Sequence, residues 1–122
     1  MSALLADITP LLLTWNEAPN IERTLQRLQW ARRIVIVDSG STDGTVDIAR
    51  SFGAVEVYSR PFDSHAEQWN FGLTRTDIET EWVLALDADY ILPDDLIAEI
   101  ANLSPSRDVT GFQARFKYAV WG

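Results

Sequence analysis

Two aspartates at the end of an apolar run are the residues of this sequence best suited to chemistry. Trp82-Val83-Leu84-Ala85-Leu86 stops abruptly at Asp87-Ala88-Asp89, and Pro93-Asp94-Asp95 follows. A short run of large apolar and β-branched residues bounded by charge reads as an interior strand of a parallel sheet. Strand side chains repeat every two residues, so Asp87 and Asp89 are expected on one side with the small Ala88 between them. Two carboxylates that close repel unless a positive charge joins them, and hard oxygen ligands suit Mg2+ or Mn2+. The plainer alternative is that such aspartates form a turn or cap a helix. That alternative is adopted outright for Asp94 and Asp95, because Pro93 suits a first helical position and acids in the first turn favour the helix dipole.

The chain of 122 residues is of the size of one domain, large enough for a core, with no internal repeat. A formal charge of −8 argues against a nucleic-acid partner or a polybasic membrane anchor. It also means that a bound phosphate needs local help from a cation, backbone N–H groups or scattered arginines. With no cysteine, disulfides, thiolate metal sites and thiol nucleophiles drop out. No apolar run reaches the length of a signal peptide core or a membrane span. The expected location is cytoplasmic, or peripheral at the inner face of a membrane.

The elements that would carry these aspartates alternate in type. Residues 8–14 read as a first strand, whose effective start is Leu11 because Pro10 cannot donate to a ladder. Asn20 is expected to cap a helix carrying Ile21, Leu25 and Leu28. Ile34-Val35-Ile36-Val37 is a second strand and it too ends at an aspartate, Asp38. The loop Ser39-Gly40-Ser41-Thr42-Asp43-Gly44-Thr45 is small, hydroxylated and glycine-rich, suited either to close approach of a ligand or to an ordinary capped turn. It matches neither glycine-rich phosphate fingerprint. A helix through Val46, Ile48, Ala49 and Phe52, a strand at 55–58, and a helix at 65–73 with Ala66, Trp69 or Asn70, and Leu73 inward complete the approach to the opening strand. His65 reads as a helix-start or surface residue, and Trp69 and Phe71 as packing groups. A helix with Leu96, Ile97, Ile100 and Leu103 ends near Ser104-Pro105. The alternating stretch 112–118 then suggests an exposed or antiparallel strand.

Alternating strands and helices imply an α/β, Rossmann-like, three-layer sandwich with a mostly parallel sheet and helices on both faces. Ligands of such sheets sit beyond the carboxyl ends of the strands. Here those ends are 14–17, 38–43, 58–63 and 87–89, all polar. Asp38 could accept the ring N–H of a base, Trp15 could wall it, and Asp87 with Asp89 could hold a cation bridging a diphosphate.

Three stretches in this order and spacing resemble the family 2 glycosyltransferases with their GT-A fold: Thr14-Trp15-Asn16-Glu17, then 37–45 around Asp38-Ser39-Gly40-Ser41-Thr42-Asp43, then 82–89 ending in Asp87-Ala88-Asp89. Arg60-Pro61-Phe62-Asp63 followed by Ala66-Glu67-Gln68-Trp69-Asn70-Phe71 is similar to the bacterial branch that adds sugars to lipopolysaccharide core. The resemblance implies transfer of a sugar from a nucleoside diphosphate donor, UDP-sugar being favoured, to a saccharide or lipid-linked acceptor with inversion. It implies that Asn16, Glu17 and Asp38 contact the nucleoside, while Asp87 and Asp89 hold ribose and metal-diphosphate, Asp89 being the principal metal ligand. Thr14, Trp15, Ser39, Asp43, Arg60, Asn70 and Ala88 complete the expected donor site. Trp15 stands in place of a more usual tyrosine, and Trp69 where related sequences often carry a basic residue. The family's general base lies well after the Asp-x-Asp motif, so the catalytic residue is expected beyond Gly122 and the chain is expected to be the donor-binding half, residues 1–122, without the acceptor half.

Two other readings compete. A haloacid dehalogenase-type phosphatase also places Asp-x-Asp after an apolar strand, but that strand usually comes first and the reaction needs a lysine, for which Lys117 is the only candidate. A truncated nucleotide-binding module could instead dimerise through its last strand at a sheet edge.

Overall fold

The apolar runs become strands of one sheet. The computed structural model describes residues 3–102, 111–113 and 118–121. Its strands are β1 (Ile8–Thr14), β2 (Ile34–Asp38), β3 (Val55–Ser59), β4 (Trp82–Asp87), β5 (Gly111–Gln113) and β6 (Tyr118–Trp121), in the order β3-β2-β1-β4-β6-β5. β1 to β4 run parallel, whereas β6 is antiparallel to β4 and β5 to β6. The helices are α1 (Ala3–Ala6), α2 (Ala18–Gln26), α3 (Thr45–Arg50), α4 (His65–Thr74) and α5 (Asp94–Ala101).

Strand periodicity divides the buried residues between two faces, giving the expected three layers. Ile8, Leu12, Ile34, Ile36, Leu84 and Leu86 pack with Ile21, Leu25, Ala49 and Ile100 of α2, α3 and α5. Leu11, Val35, Val37 and Val83 face the other way, toward Trp69 and Phe71 of α4. β1 is central, yet it contains Pro10. Its pairing with β4 starts at Ile8, while pairing with β2 starts only at Leu11, so the proline precedes the stretch flanked on both sides. The strand therefore starts at Ile8 rather than Leu11.

Several local expectations are corrected. α2 begins at Ala18 rather than after Asn20, because Pro19 lacks an N–H and fits the first turn. Asn20 instead donates to Glu17 Oε2 (3.2 Å) and accepts from Arg23 (2.6 Å). α4 turns Gln68 and Gly72 inward, not Ala66 or Leu73, and Leu73 is exposed. Gly72 lets the helix approach the sheet, since a Cβ there would lie 2.7 Å from Leu11 Cδ1. The described part of 112–118 belongs to two short strands rather than one, with 114–117 outside the described residues, as is the helix end expected at Ser104-Pro105. β6 lies between β4 and β5, and β5, which holds the described start of the 112–118 stretch, is an edge strand of the sheet. Among the described residues no helix is long and apolar enough to cross a membrane.

Candidate functional site

The sheet order places β2 and β3 on one side of β1 and β4 on the other. The crevice of an open parallel sheet forms where the order reverses, here beyond the carboxyl ends of β1 and β4. The segment after β1 is fixed first, by the loop after β2. Ser39 N donates to Thr14 O (3.0 Å), Asn16 N to Ser41 Oγ (2.8 Å), Thr42 N to Asn16 Oδ1 (2.8 Å), Glu17 N to Thr45 Oγ1 (2.8 Å) and Ala18 N to Asp43 Oδ2 (3.0 Å). These bonds hold Asn16 at a φ of 52°, a left-handed conformation that asparagine tolerates better than most residues.

Asp38 is the keystone of this frame. It is 2% exposed, and its carboxylate accepts four hydrogen bonds: Thr14 Oγ1 (2.7 Å) and Ser41 Oγ (2.6 Å) at Oδ1, and the backbone N–H of Gly40 (3.0 Å) and Ser41 (2.8 Å) at Oδ2. A carboxylate has about four acceptor positions, and all are filled from within. Burial alone would raise its pKa, but the bonds from Ser41, Thr14 and the backbone outweigh burial and hold it below the usual aspartate range. Thr45 holds Asp43 below that range too, through its hydroxyl, which donates to Asp43 Oδ1. Asp38 therefore offers no open acceptor to a base, contrary to the role expected of it. Ser39, one residue later, lines the adjoining cavity instead.

That cavity, of about 460 Å3, is lined by Leu13, Thr14, Trp15, Glu17, Ser39, Phe62 and His65. Trp15 is 63% exposed and Phe62 52%, so two large aromatic side chains on the wall of this cavity are open to what enters it. A second cleft of about 290 Å3 is lined by Leu13, Glu17, His65, Trp69, Leu86, Asp87, Ala88 and Asp89. Asp87 ends β4, and a turn closed by Tyr90 N to Asp87 O (3.1 Å) brings Asp89 to the same cleft. Thr24 Oγ1 donates to Ala88 O (2.7 Å) and ties this turn to α2. Asp87 is half-buried and Asp89 exposed, and among the described residues neither side chain has a hydrogen bond or an ion pair. Asp94 and Asp95 behave as helix-start acids: Asp94 pairs with Arg27 (2.5 Å), and Asp95 Oδ1 accepts from Leu96 N (3.0 Å).

Arg60 and Asn70 are not brought into this cleft. They line a separate cavity of about 650 Å3 with Glu67, Phe71, Thr74 and Arg75. Arg60 is bound to Asp63 (3.0 and 3.2 Å) and Gln68 Oε1 (2.6 Å) and lies over the Phe71 ring at 5.8 Å. Asn70 follows the inward Gln68 by two residues, which turns it some 200° around the helix. Leu13, Phe62, His65 and Gln68 were not singled out by sequence reasoning as contributors to the site. Gln68 is fully buried and donates through Nε2 to Ser39 Oγ (3.2 Å) and Arg60 O (3.1 Å), fixing the cavity wall to α4. The i, i+4 pair Gln68 and Gly72 was its signal, because a polar group and a glycine together mark a helix face in close contact with something polar.

Two free carboxylates suit a hard divalent cation, and their lack of internal partners is what a ligand pair requires. Among the described residues no third carboxylate or imidazole joins them in a metal-sized cluster. Any further ligands would be water or substrate oxygens, the usual arrangement for magnesium.

A doubly wound sheet with an aromatic-walled cavity and free carboxylates at its switch point defines a GT-A-type α/β domain. The chain belongs to Glycosyl transferase family 2, whose sequence profile matches residues 11–119. It is 37% identical over 110 residues to an uncharacterized glycosyltransferase of Rickettsia bellii, covering 88% of this chain and 36% of that protein. It is 28% identical to the lipopolysaccharide core biosynthesis glycosyltransferase LpsC of Rhizobium meliloti, covering 93% of this chain and 43% of that protein. Among solved structures, glucosyl-3-phosphoglycerate synthase from Mycobacterium tuberculosis in complex with phosphoglyceric acid superposes with a TM-score of 0.61 at 27% identity, over 77% of this chain and 37% of that one. The chain thus spans roughly a third to two fifths of the length of the curated relatives it matches. Membership of this family displaces the phosphatase reading.

Proposed function

We propose that this chain is the donor-binding half of an inverting glycosyltransferase and holds a nucleoside diphosphate sugar, UDP-sugar by preference, across the ends of β1 and β4. The base would stack between Trp15 and Phe62, with the Ser39 hydroxyl as the hydrogen-bonding group at its edge; stacking on aromatic side chains contributes about 1–3 kcal/mol per base. Asp87 and Asp89 would hold ribose and a Mg2+ or Mn2+ ion. Bound there, the ion stabilises the charge that develops on the departing diphosphate. Thr14, Asn16, Asp38 and Asp43 act as the frame that keeps Trp15, Glu17 and Ser39 in place.

The observation that carries this reading is the pair of unpartnered carboxylates facing a cleft that adjoins the bare aromatic cavity. The likeness to LpsC supports a saccharide acceptor of the lipopolysaccharide type. An inverting transfer needs a carboxylate on the face opposite the leaving group, and we place that base, with the acceptor site, outside this chain. Calorimetric titration with UDP and GDP, each with and without Mn2+, tests the donor assignment. Binding of UDP that is strengthened by Mn2+ is expected; no binding of any of these ligands would overturn it.

A further inference from the structure

The aromatic cavity and the Asp87–Asp89 cleft meet at three residues that line both: Leu13, Glu17 and His65. Given the donor reading above, on which this inference rests, a ligand with its base in the first and its ribose and metal-bound diphosphate at the second must bring the near end of its diphosphate past these three. Between its base and its transferred sugar a nucleoside diphosphate sugar carries a ribose and a diphosphate, and the diphosphate is strongly anionic. Leu13 offers it nothing polar, and the Glu17 carboxylate repels it. Asp87 and Asp89 add two more negative charges on the far side. Among the described residues, His65 is the one lining residue of either cavity that carries an imidazole, ammonium or guanidinium group.

The imidazole is available for this task. His65 is exposed at the first position of α4, and its ring is set edge-to-face against Phe62, with centroids 5.1 Å apart at 74°. Among the described residues no hydrogen bond or ion pair engages its ring nitrogens. The nearest arginine in sequence, Arg60, is spent on Asp63 and Gln68 and lines the other cavity. Trp69, one helical turn after His65, shares the cleft and has only its indole N–H to give.

We infer that His65 donates a ring N–H to a diphosphate oxygen of the donor. The Phe62 contact orients the ring, so that a side chain on an open helix start is held over the junction of the two cavities.

The test compares uridine with UDP, because only the second carries the group in question. The wild-type chain, His65→Ala and His65→Gln are titrated with each ligand, with and without Mn2+, after thermal melts show that all three fold alike. His65→Ala is expected to weaken UDP about tenfold or more, most clearly without Mn2+, while uridine stays within about twofold. His65→Gln, which keeps an N–H at similar reach, is expected to recover most of the loss. Equal weakening of uridine and UDP would overturn the inference and make His65 part of the base wall. Unchanged UDP binding in His65→Ala would overturn it while leaving the donor reading intact. A wild-type chain that binds neither ligand would overturn both.

Discussion

The ends of β2 and β4 each present aspartate after a run of apolar residues, and the structure surrounds them in opposite ways. Asp38 is sealed under its loop with every acceptor position filled by Thr14, Gly40 and Ser41. Asp87 and Asp89 stand at the mouth of a cleft with no internal partner among the described residues. The difference lies in the residues just after each strand. Beyond Asp38 come small and hydroxylated residues, which fold back and donate to it. Beyond Asp87 come Ala88, Asp89, Tyr90 and Ile91, with no serine, threonine or glycine to fold back on either carboxylate as Gly40 and Ser41 do on Asp38. A carboxylate surrounded by its own chain's donors is a structural element, whereas one left without them is open to a ligand.

This contrast separates stability from binding, and substitutions can break it. The largest effect is expected from Asp38→Ala, which strands the Thr14 hydroxyl and two backbone N–H groups in the interior; a loss of about 3 kcal/mol in chemical denaturation would fit. Asp87→Ala and Asp89→Ala should change stability by no more than about 0.5 kcal/mol, since they remove exposed or half-buried groups without partners. Next in size after Asp38→Ala, Gly72→Ala should cost about 1–2 kcal/mol by pushing α4 against Leu11 without touching Asp38 or the Asp87–Asp89 pair.

Acid sharpens the same comparison. Hydrogen bonds hold the Asp38 pKa below its unfolded value, so its contribution is fully present above about pH 4 and is lost as pH falls through the lowered folded value. Asp43 follows the same direction because of Thr45, and Asp63 because of Arg60. Urea midpoints should therefore fall between pH 5 and pH 3 in the wild-type chain and fall less in Asp38→Asn, which has already lost the linked carboxylate. A parallel fall in both would show that Asp38 is not the group concerned. The smallest effect is expected at the exposed Arg27–Asp94 pair, where Arg27→Ala should cost under about 0.5 kcal/mol.

The fold was legible because its signals are local and repeated. Continuous apolar runs at 34–37 and 82–86 could only be strands covered on both faces, and both are. Residue types at the strand ends likewise marked where a site would form. What could not be read was which way each polar side chain turns. Asp38 and Ser39 are neighbours, and composition gives no sign that the first is buried under four hydrogen bonds while the second lines the cavity. Arg60 and Asn70 were placed by motif, but pairing with Asp63 and Gln68 and the helical twist of α4 send them to a different surface. His65 was passed over because no partner is spaced around it in sequence. Its place at the junction of two cavities arises only when β1, β3 and α4 are assembled.

Whether Asp89 acts on ligand and Asp38 on the fold is tested most directly by the Mn2+-dependent gain in UDP affinity measured for the wild-type chain and Asp89→Ala. The gain should be about tenfold or more in the wild type and vanish in Asp89→Ala with the melting temperature unchanged. A gain that survives in Asp89→Ala, or an Asp89→Ala chain that loses its fold, would contradict that division of roles.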